Sequence, residues 1–307
     1  MSAGRVRVGM REAEFIDWIR RQAELDPQAV PVGPGDDCAV VVLGGEKVLV
    51  TTDQALDGVH FILSACGPEA AGQKAMARSL SDIAAMAGVP LAAVATVALP
   101  KGLSREDGEA IYRGLRRAAD EFRCPVVGGD VGTWQGALAI GVTVFGRPAG
   151  GDAVLRSGAK AGDAICVTGR LGGAWRTRRH LEFTPRINEA IALAASCELH
   201  AMIDLSDGPA TDLHHLCRES GVGAEVLAAA VPVHPDAADL AGALSDGEDY
   251  ELLFALPAAQ AEALTRQQPL RVAVTRIGTV VAGEGVTLVH PDGRREALPA
   301  SGWEHST

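Results

Sequence analysis

The run GQKAMARSLSDIAAMAGVPLAAVATVALP (72–100) changes its period half-way, and that change decides the class of fold. Up to Ala87, the residues Met76, Leu80, Ile83 and Ala87 recur every three or four positions, the spacing of a helix with one buried stripe. On another face of the same helix Lys74, Arg78 and Asp82 stand four residues apart. From 91 to 99 nearly every position is apolar, which reads as a strand buried on both faces. Ile83 to Pro100 spans 18 residues without a charge and so imitates a membrane span. Gly88-Val89-Pro90 interrupts it, and a helix end, a turn and a buried strand describe it better.

On either side the same alternation of helix and strand continues. A helix is expected over 12–25, strands over 38–43 and 47–52, and a helix with Ile111, Leu115, Ala118 and Phe122 inward. Strands are expected at Cys124–Val127 and Ala137–Phe145. The glycine-rich stretch GRPAGG (146–151) is the expected boundary between an N-terminal domain, 1–148, and a C-terminal domain, 149–307. Beyond it come a strand at Ala164–Thr168, a glycine turn, helical sequence to about Ala195, and a helix at 208–220 stopped by Gly221-Val222-Gly223. Ala224–Val226, Glu251–Leu256 and Val272–Val281 read as strands. The class is α/β or α+β. Leu80-Ser81-Asp82 and Leu205-Ser206-Asp207 form a faint repeat, too short to separate from chance.

With 307 residues the chain is long enough for two domains, and 47% hydrophobic and 22% charged residues suit a soluble globular protein. A net charge of -11 argues against a nucleic-acid binder, and an acidic protein that handles phosphates must bring cations with it. Six cysteines without a CxxC pair argue against zinc and for reduced thiols in the cytoplasm. The opening MSAGRVRVGMREAEF lacks the apolar core of a signal peptide.

The carboxylates are the informative residues. Asp36-Asp37, Asp53, Asp82, Asp130, Asp204 and Asp207 each sit at a strand end, a glycine-rich turn or a helix start, where backbone approaches a ligand closely. Such a set suits hard divalent cations bridged to phosphates. Each has a plainer reading alone: Asp36-Asp37 as a turn, Asp82 as a surface partner of Arg78, Asp207 as a helix cap, His60 as a structural histidine. The chain has no GxxxxGK[ST] loop, no GxGxxG after a first strand and no protein-kinase signature set. Composition and spacing therefore reach an acidic, metal-using protein and do not name a substrate.

Taken in order, GPGDDCAVV (33–41), TTDQALDGVHF (51–61), GQKAMARSLSDIAAMAG (72–88), VVGGDVG (126–132), RSGAKAGD (156–163), AMIDLSDG (201–208), SDGEDYELLF (245–254) and RIGTV (276–280) resemble the thiamine-monophosphate kinase family. That family belongs to the superfamily of aminoimidazole ribonucleotide synthetase. The resemblance implies a two-domain synthetase-like fold, an N-terminal half-barrel sheet plus a C-terminal α/β sandwich, with half-barrels pairing across a homodimer. It implies ATP as co-substrate and several Mg2+ ions at Asp37, Thr51, Thr52, Asp53, Asp82, Asp130, Asp204 and Asp207. Tyr112, Gly129, Asp130, Arg156 and Ser206 fall on ATP-contacting positions, and His60, Glu248 and Trp303 on positions that contact thiamine phosphate.

The chain departs from the pattern at three places: Gly173, where an acidic residue is usual; Asp246, where glycine is usual; and Pro209, where leucine is usual. The implied reaction moves the γ-phosphoryl of ATP directly onto thiamine phosphate. A phosphate monoester has a second pKa of about 6, so the nucleophile is already anionic and no catalytic base is expected. Arg156 would add a forked donor, while Trp303 and Glu248 would face the cationic thiamine. Two alternatives stay open on the sequence: a superfamily enzyme activating an amide or carbonyl oxygen, and a non-catalytic nucleotide-binding relative.

Overall fold

The computed structural model describes residues 12–302. The first half runs α1 (Glu12–Gln22), β1 (Ala39–Leu43), β2 (Glu46–Leu56), α2 (Leu63–Cys66), α3 (Pro68–Ala85), β3 (Gly88–Pro100), α4 (Arg105–Glu121), β4 (Val126–Trp134) and β5 (Ala139–Pro148). Its strands form one sheet in the order β1-β2-β5-β3-β4. β3 and β4 run parallel, joined by α4, and the other pairs are antiparallel. Crossing from one edge of β3 to a parallel neighbour requires a connection of helix length, which α4 supplies.

The second half runs β6 (Ala164–Thr168), α5 (Ile187–Ser196), β7 (Ala201–Asp204), α6 (Pro209–Ser220), β8 (Gly223–Leu227), α7 (Leu240–Ser245), β9 (Leu252–Leu256), α8 (Ala258–Gln267), β10 (Val274–Val281), β11 (Val286–Val289) and β12 (Arg295–Ala297). These strands form a second sheet in the order β12-β11-β8-β10-β6-β9-β7. β6 and β9 are buried along their whole length, which matches their unbroken apolar sequences.

Helix α3 lies where the halves meet. Met76, Leu80 and Ile83 are fully buried, and they share a core with Ile140, Val142 and Val144 of β5 and with Cys166, Met202 and Phe254 of the second sheet. Each such side chain contributes roughly 1.5–3 kcal/mol of burial. Two glycines let α4 reach α3. A Cβ on Gly72 would stand 2.1 Å from the Ile111 carbonyl oxygen, and one on Gly114 1.9 Å from that of Glu69. Arg20 of α1 grips Glu219 at the end of α6 through two bonds of 2.8 Å.

Several boundaries differ from expectation. The turn after α3 falls at Met86-Ala87, and Gly88, Val89 and Pro90 already belong to β3. Ala87 takes the left-handed conformation (φ 51°) that the turn requires, a role glycine would ordinarily fill. β4 extends to Trp134 although its sequence, VVGGDVGTW, carries three glycines. The segment expected to be helical to Ala195 is turns up to Leu181, with α5 only from Ile187. Pro209 is at the first position of α6, where its missing N–H costs nothing. All six cysteines are free thiols, and among the described residues no helix is long and apolar enough to cross a membrane.

Candidate active site

The middle of β2, the C-terminal end of β7 and the loop before β1 converge on α3. Asp37, Asp82 and Asp204 bring one carboxylate oxygen each to within 4.8 Å of one another, although they lie far apart in sequence. Asp37 and Asp204 are buried, and Asp82 is nearly so. Thr51 Oγ1 donates to Asp82, and Ser81 Oγ donates to Asp204 at 2.6 Å. Arg156 places Nε and Nη2 on the two oxygens of Asp37 at 3.1 and 2.6 Å, while its backbone N–H faces the Asp36 carboxylate at 3.2 Å.

Burial, then the charges of Asp53, Asp204 and Asp37, pushes Asp82 well above the usual carboxylate range, against the opposing Thr51 bond. Burial and the Asp37 charge push Asp204 up to about 7. Burial followed by the Asp37 charge pushes Asp36 up to about 6. Arg156 answers one carboxylate of the three with a bidentate pair, while Asp82 and Asp204 are hydrogen-bonded by hydroxyls and feel the Arg78 and Arg156 charges without a direct ion pair. Oxygen donors so closely set and so little neutralised fit a hard divalent cation.

Beside this cluster, α3 carries Lys74 and Arg78, two turns and one turn before Asp82 respectively. Lys74 is completely buried; its ammonium pairs with Glu248, donates to the His60 carbonyl at 2.5 Å, and lies 5.4 Å from the centre of the Trp175 ring. Burial outweighs the pull of Glu248 and brings Lys74 down to about 8. Trp175 stacks on His180 at 4.3 Å. His60 is buried, with Nδ1 accepting the Leu56 N–H at 3.0 Å.

The segment Glu248–Glu251 is pinned residue by residue. Glu248 and Tyr250 both adopt left-handed φ values, 62° and 50°, which cost energy for side chains with a Cβ. The Glu248 N–H donates to the Ser206 carbonyl at 2.7 Å, and Asp249 holds Arg179 at 2.8 Å and the Gly172 N–H at 2.7 Å. Tyr250 stacks on Phe183 at 3.9 Å, and Glu251 pairs with both Arg186 and Thr168. Asp212 is buried and receives the N–H groups of Asp207 and Gly208 at 3.2 and 3.0 Å, shaping the turn after β7.

Other residues singled out from sequence stand elsewhere. Thr52 and Thr51 alternate across β2, and the Thr52 hydroxyl accepts from Thr143 on the opposite, exposed face. Asp53 follows Thr51 on the inner face, with one oxygen 3.4 Å from Arg78. Asp130 and Gly129 belong to the exposed edge strand β4, outside the carboxylate cluster. There they line a cavity of about 1080 Å³ with Tyr112, Ile111 and Leu115 of α4. Gly129 has φ 155°, and a Cβ there would strike the Ala95 carbonyl at 1.8 Å. Trp303 lies outside the described residues. Two of the departing positions meet: the Gly173 N–H donates to the Asp246 carboxylate at 2.9 Å.

The description AIR synthase related protein matches the chain twice, its N-terminal domain over residues 35–147 and its C-terminal domain over 173–291. A curated relative from Rhodopirellula baltica, thiamine-monophosphate kinase, is 38% identical over 90% of this chain and 91% of its own. The chain belongs to the thiamine-monophosphate kinase family. A second member, from Aquifex aeolicus, is 33% identical over 96% of this chain and 97% of its own. A solved structure described as AaThiL complexed with AMPPCP and TMP covers 99% of each chain at a TM-score of 0.82 and 30% identity. The mixed α/β architecture and the two sheets are those of the thiamine-monophosphate kinase family.

Lys74, Arg78 and Ser81 were not assigned roles from sequence, although their signal was present. Lys74 and Arg78 share with Asp82 a helix face that is polar in an otherwise buried helix. A polar face in such a setting has to answer to something.

Proposed function

We propose that this chain transfers the γ-phosphoryl group of ATP to thiamine phosphate, giving thiamine diphosphate and ADP. The observation that carries the reading is the convergence of Asp37, Asp82 and Asp204 in one nearly closed site, directly beside the Lys74–Glu248 pair. Membership of the thiamine-monophosphate kinase family, with near-complete coverage, supports it.

A non-bridging oxygen of the thiamine phosphate attacks the γ-phosphorus with its own lone pair. The bond to the β,γ-bridging oxygen breaks, and ADP leaves with that electron pair. The acceptor is already anionic near neutrality, so no side chain has to remove a proton. The obstacle is repulsion between two polyanions, and when bound, magnesium supplies the charge that offsets it. Asp37, Asp53, Asp82 and Asp204 would hold it, with Thr51 steadying Asp82 and Ser81 steadying Asp204. Thr51, Thr52, Asp130 and Asp207 are the further proposed metal positions. Tyr112, Gly129, Asp130, Arg156 and Ser206 are proposed for ATP, and His60, Glu248 and Trp303 for the acceptor. Glu248 offers negative charge to a cationic thiamine, and Lys74 fixes its position.

The division into an N-terminal domain to residue 148 and a C-terminal domain from 149 follows the two sheets. A homodimer is part of the proposal, because β4 exposes Val127, Val131 and Trp134 along an unpaired edge. The free thiols suit the cytoplasm.

The deciding experiment incubates the purified protein with ATP, magnesium chloride and thiamine phosphate and separates the products. Equal amounts of thiamine diphosphate and ADP are expected. ADP without thiamine diphosphate, or neither product, overturns the reading. In the same assay Asp82→Asn should lower turnover at least about 100-fold, as loss of preorganised electrostatic stabilisation does.

A further inference from the structure

The guanidinium of Arg78 is under-used. Its Nε and Nη1 are sealed from solvent and have no hydrogen-bond partner, and Nη2 reaches Asp53 only at 3.4 Å. A buried N–H without a partner is costly, and more so on a charged group, so a native fold keeps such a group only where something else answers it. Arg156 gives the contrast: two of its donors are spent on Asp37 in a bidentate pair. Among the described site residues, Arg78 is thus an arginine with donors to spare.

Its place on α3 says for what. Lys74, Arg78 and Asp82 are spaced four residues apart, so each lies one turn, about 6 Å, beyond the last on one helix face. At one end Lys74 holds Glu248 and His60, the groups proposed for the organic part of the acceptor. At the other end Asp82 sits in the carboxylate cluster proposed to receive the metal-bound nucleotide. A phosphate monoester whose organic part lies at Lys74 and whose oxygen must reach the nucleotide at Asp82 passes Arg78. We propose that Arg78 binds the phosphate of the acceptor, turning its fork from the long contact with Asp53 onto two phosphate oxygens. A planar fork matches phosphate geometry, which a lysine's point charge does not. The role would make Arg78 a specificity residue: it would distinguish the phosphorylated acceptor from the alcohol.

This inference rests on the proposed reaction, and its test separates the two. Binding of thiamine phosphate, of unphosphorylated thiamine and of AMP-PCP is measured by calorimetry on the magnesium-loaded protein, for the natural chain, Arg78→Met and Arg78→Lys. Arg78→Met should weaken thiamine phosphate at least about tenfold, the effect of losing hydrogen bonds to a charged group, while thiamine and AMP-PCP stay within about threefold. KM for thiamine phosphate should rise in parallel, with Arg78→Lys in between. Equal weakening of all three ligands marks a structural residue and overturns the inference, as does weakening of AMP-PCP alone or of nothing. If Arg78→Met does not fold, Arg78→Lys decides: an unchanged preference for thiamine phosphate over thiamine overturns the inference. A natural chain that makes no thiamine diphosphate refutes the reaction itself, whereas an active chain with an unaffected Arg78→Met refutes this role alone.

Discussion

At the scale of single residues, the site keeps charges that the fold alone would discard. Asp82 sits among three other carboxylates, and the Thr51 hydroxyl is the side chain that hydrogen-bonds it, with the Arg78 charge nearby. Asp82→Asn should therefore stabilise the metal-free protein, raising its melting temperature by roughly 2–4 °C for each kcal/mol of repulsion relieved. The same variant should lose the further rise that magnesium gives the natural chain, since binding to the folded state alone is what produces it. Melting curves with EDTA and with magnesium chloride check both halves. Lys74 gives a pH dependence of definite sign. Its folded value of about 8 lies below the 10.5 of the unfolded chain, so the unfolded state binds more protons between these values. Stability contributed by Lys74 should rise as pH climbs through that window and be lost below the folded value. Urea midpoints at about pH 7.5 and 9.5 should converge in Lys74→Met relative to the natural chain, which removes the titrating group. Part of this is legible: Asp37 and Asp204 do stand at a turn and a strand end, whereas Asp53 and Asp130 lie inside β2 and β4 and Asp82 inside α3. The sequence reading grouped Thr52 with Thr51 and Asp53, and the strand's alternation turns its side chain to the other face. The spare donors of Arg78 were not legible, because partner satisfaction is a property of three-dimensional packing.

At the scale of elements, α3 is the part that serves both core and site. Its apolar stripe fixes it against β5 and the second sheet, so the face bearing Lys74, Arg78 and Asp82 has little freedom to turn. α4 presses on it through Gly72 and Gly114. Gly114→Ala places a methyl 1.9 Å from the Glu69 carbonyl, a backbone atom that cannot swing aside. The expected result is a loss of about 1–3 kcal/mol in chemical denaturation, as for overpacking elsewhere. KM for the acceptor should rise as well, since α3 must shift. α3 is readable because it keeps one period over many residues, whereas β3, read as buried on both faces, is only partly buried, with Leu91 exposed. β4 was placed too short because glycines mask a strand, and only pairing with β3 at Thr96–Asp130 and beyond reveals its length. The helical reading of 173–186 failed for the opposite reason: its residues suit a helix, but Arg179, His180 and Phe183 are taken up by Asp249, Trp175 and Tyr250. Tertiary contacts overrode local preference there.

At the scale of the whole molecule, the two proposed ligand regions differ in completeness. The carboxylate cluster is closed within one chain by α3, β2 and β7, whereas the cavity at Tyr112, Gly129 and Asp130 opens along β4. Val127 and Val131 are 64% and 68% exposed on that edge, and an unpaired strand carrying apolar side chains invites pairing with a second copy. A homodimer would cover the edge and finish the cavity wall at once. Val131→Lys puts a charge on the strand face without touching the carboxylate cluster or α3, so the fold should survive. Sedimentation analysis should then show the natural chain at twice the mass of the variant. KM for ATP should rise in the variant, because Val131 itself lines the half-open cavity with Tyr112 and Asp130, while the affinity for thiamine phosphate at Lys74 and Glu248 should hold. Equal masses for the two proteins would rule out the β4 edge as the dimer contact. Equal loss of both substrates would mean that β4 supports the fold and not one pocket.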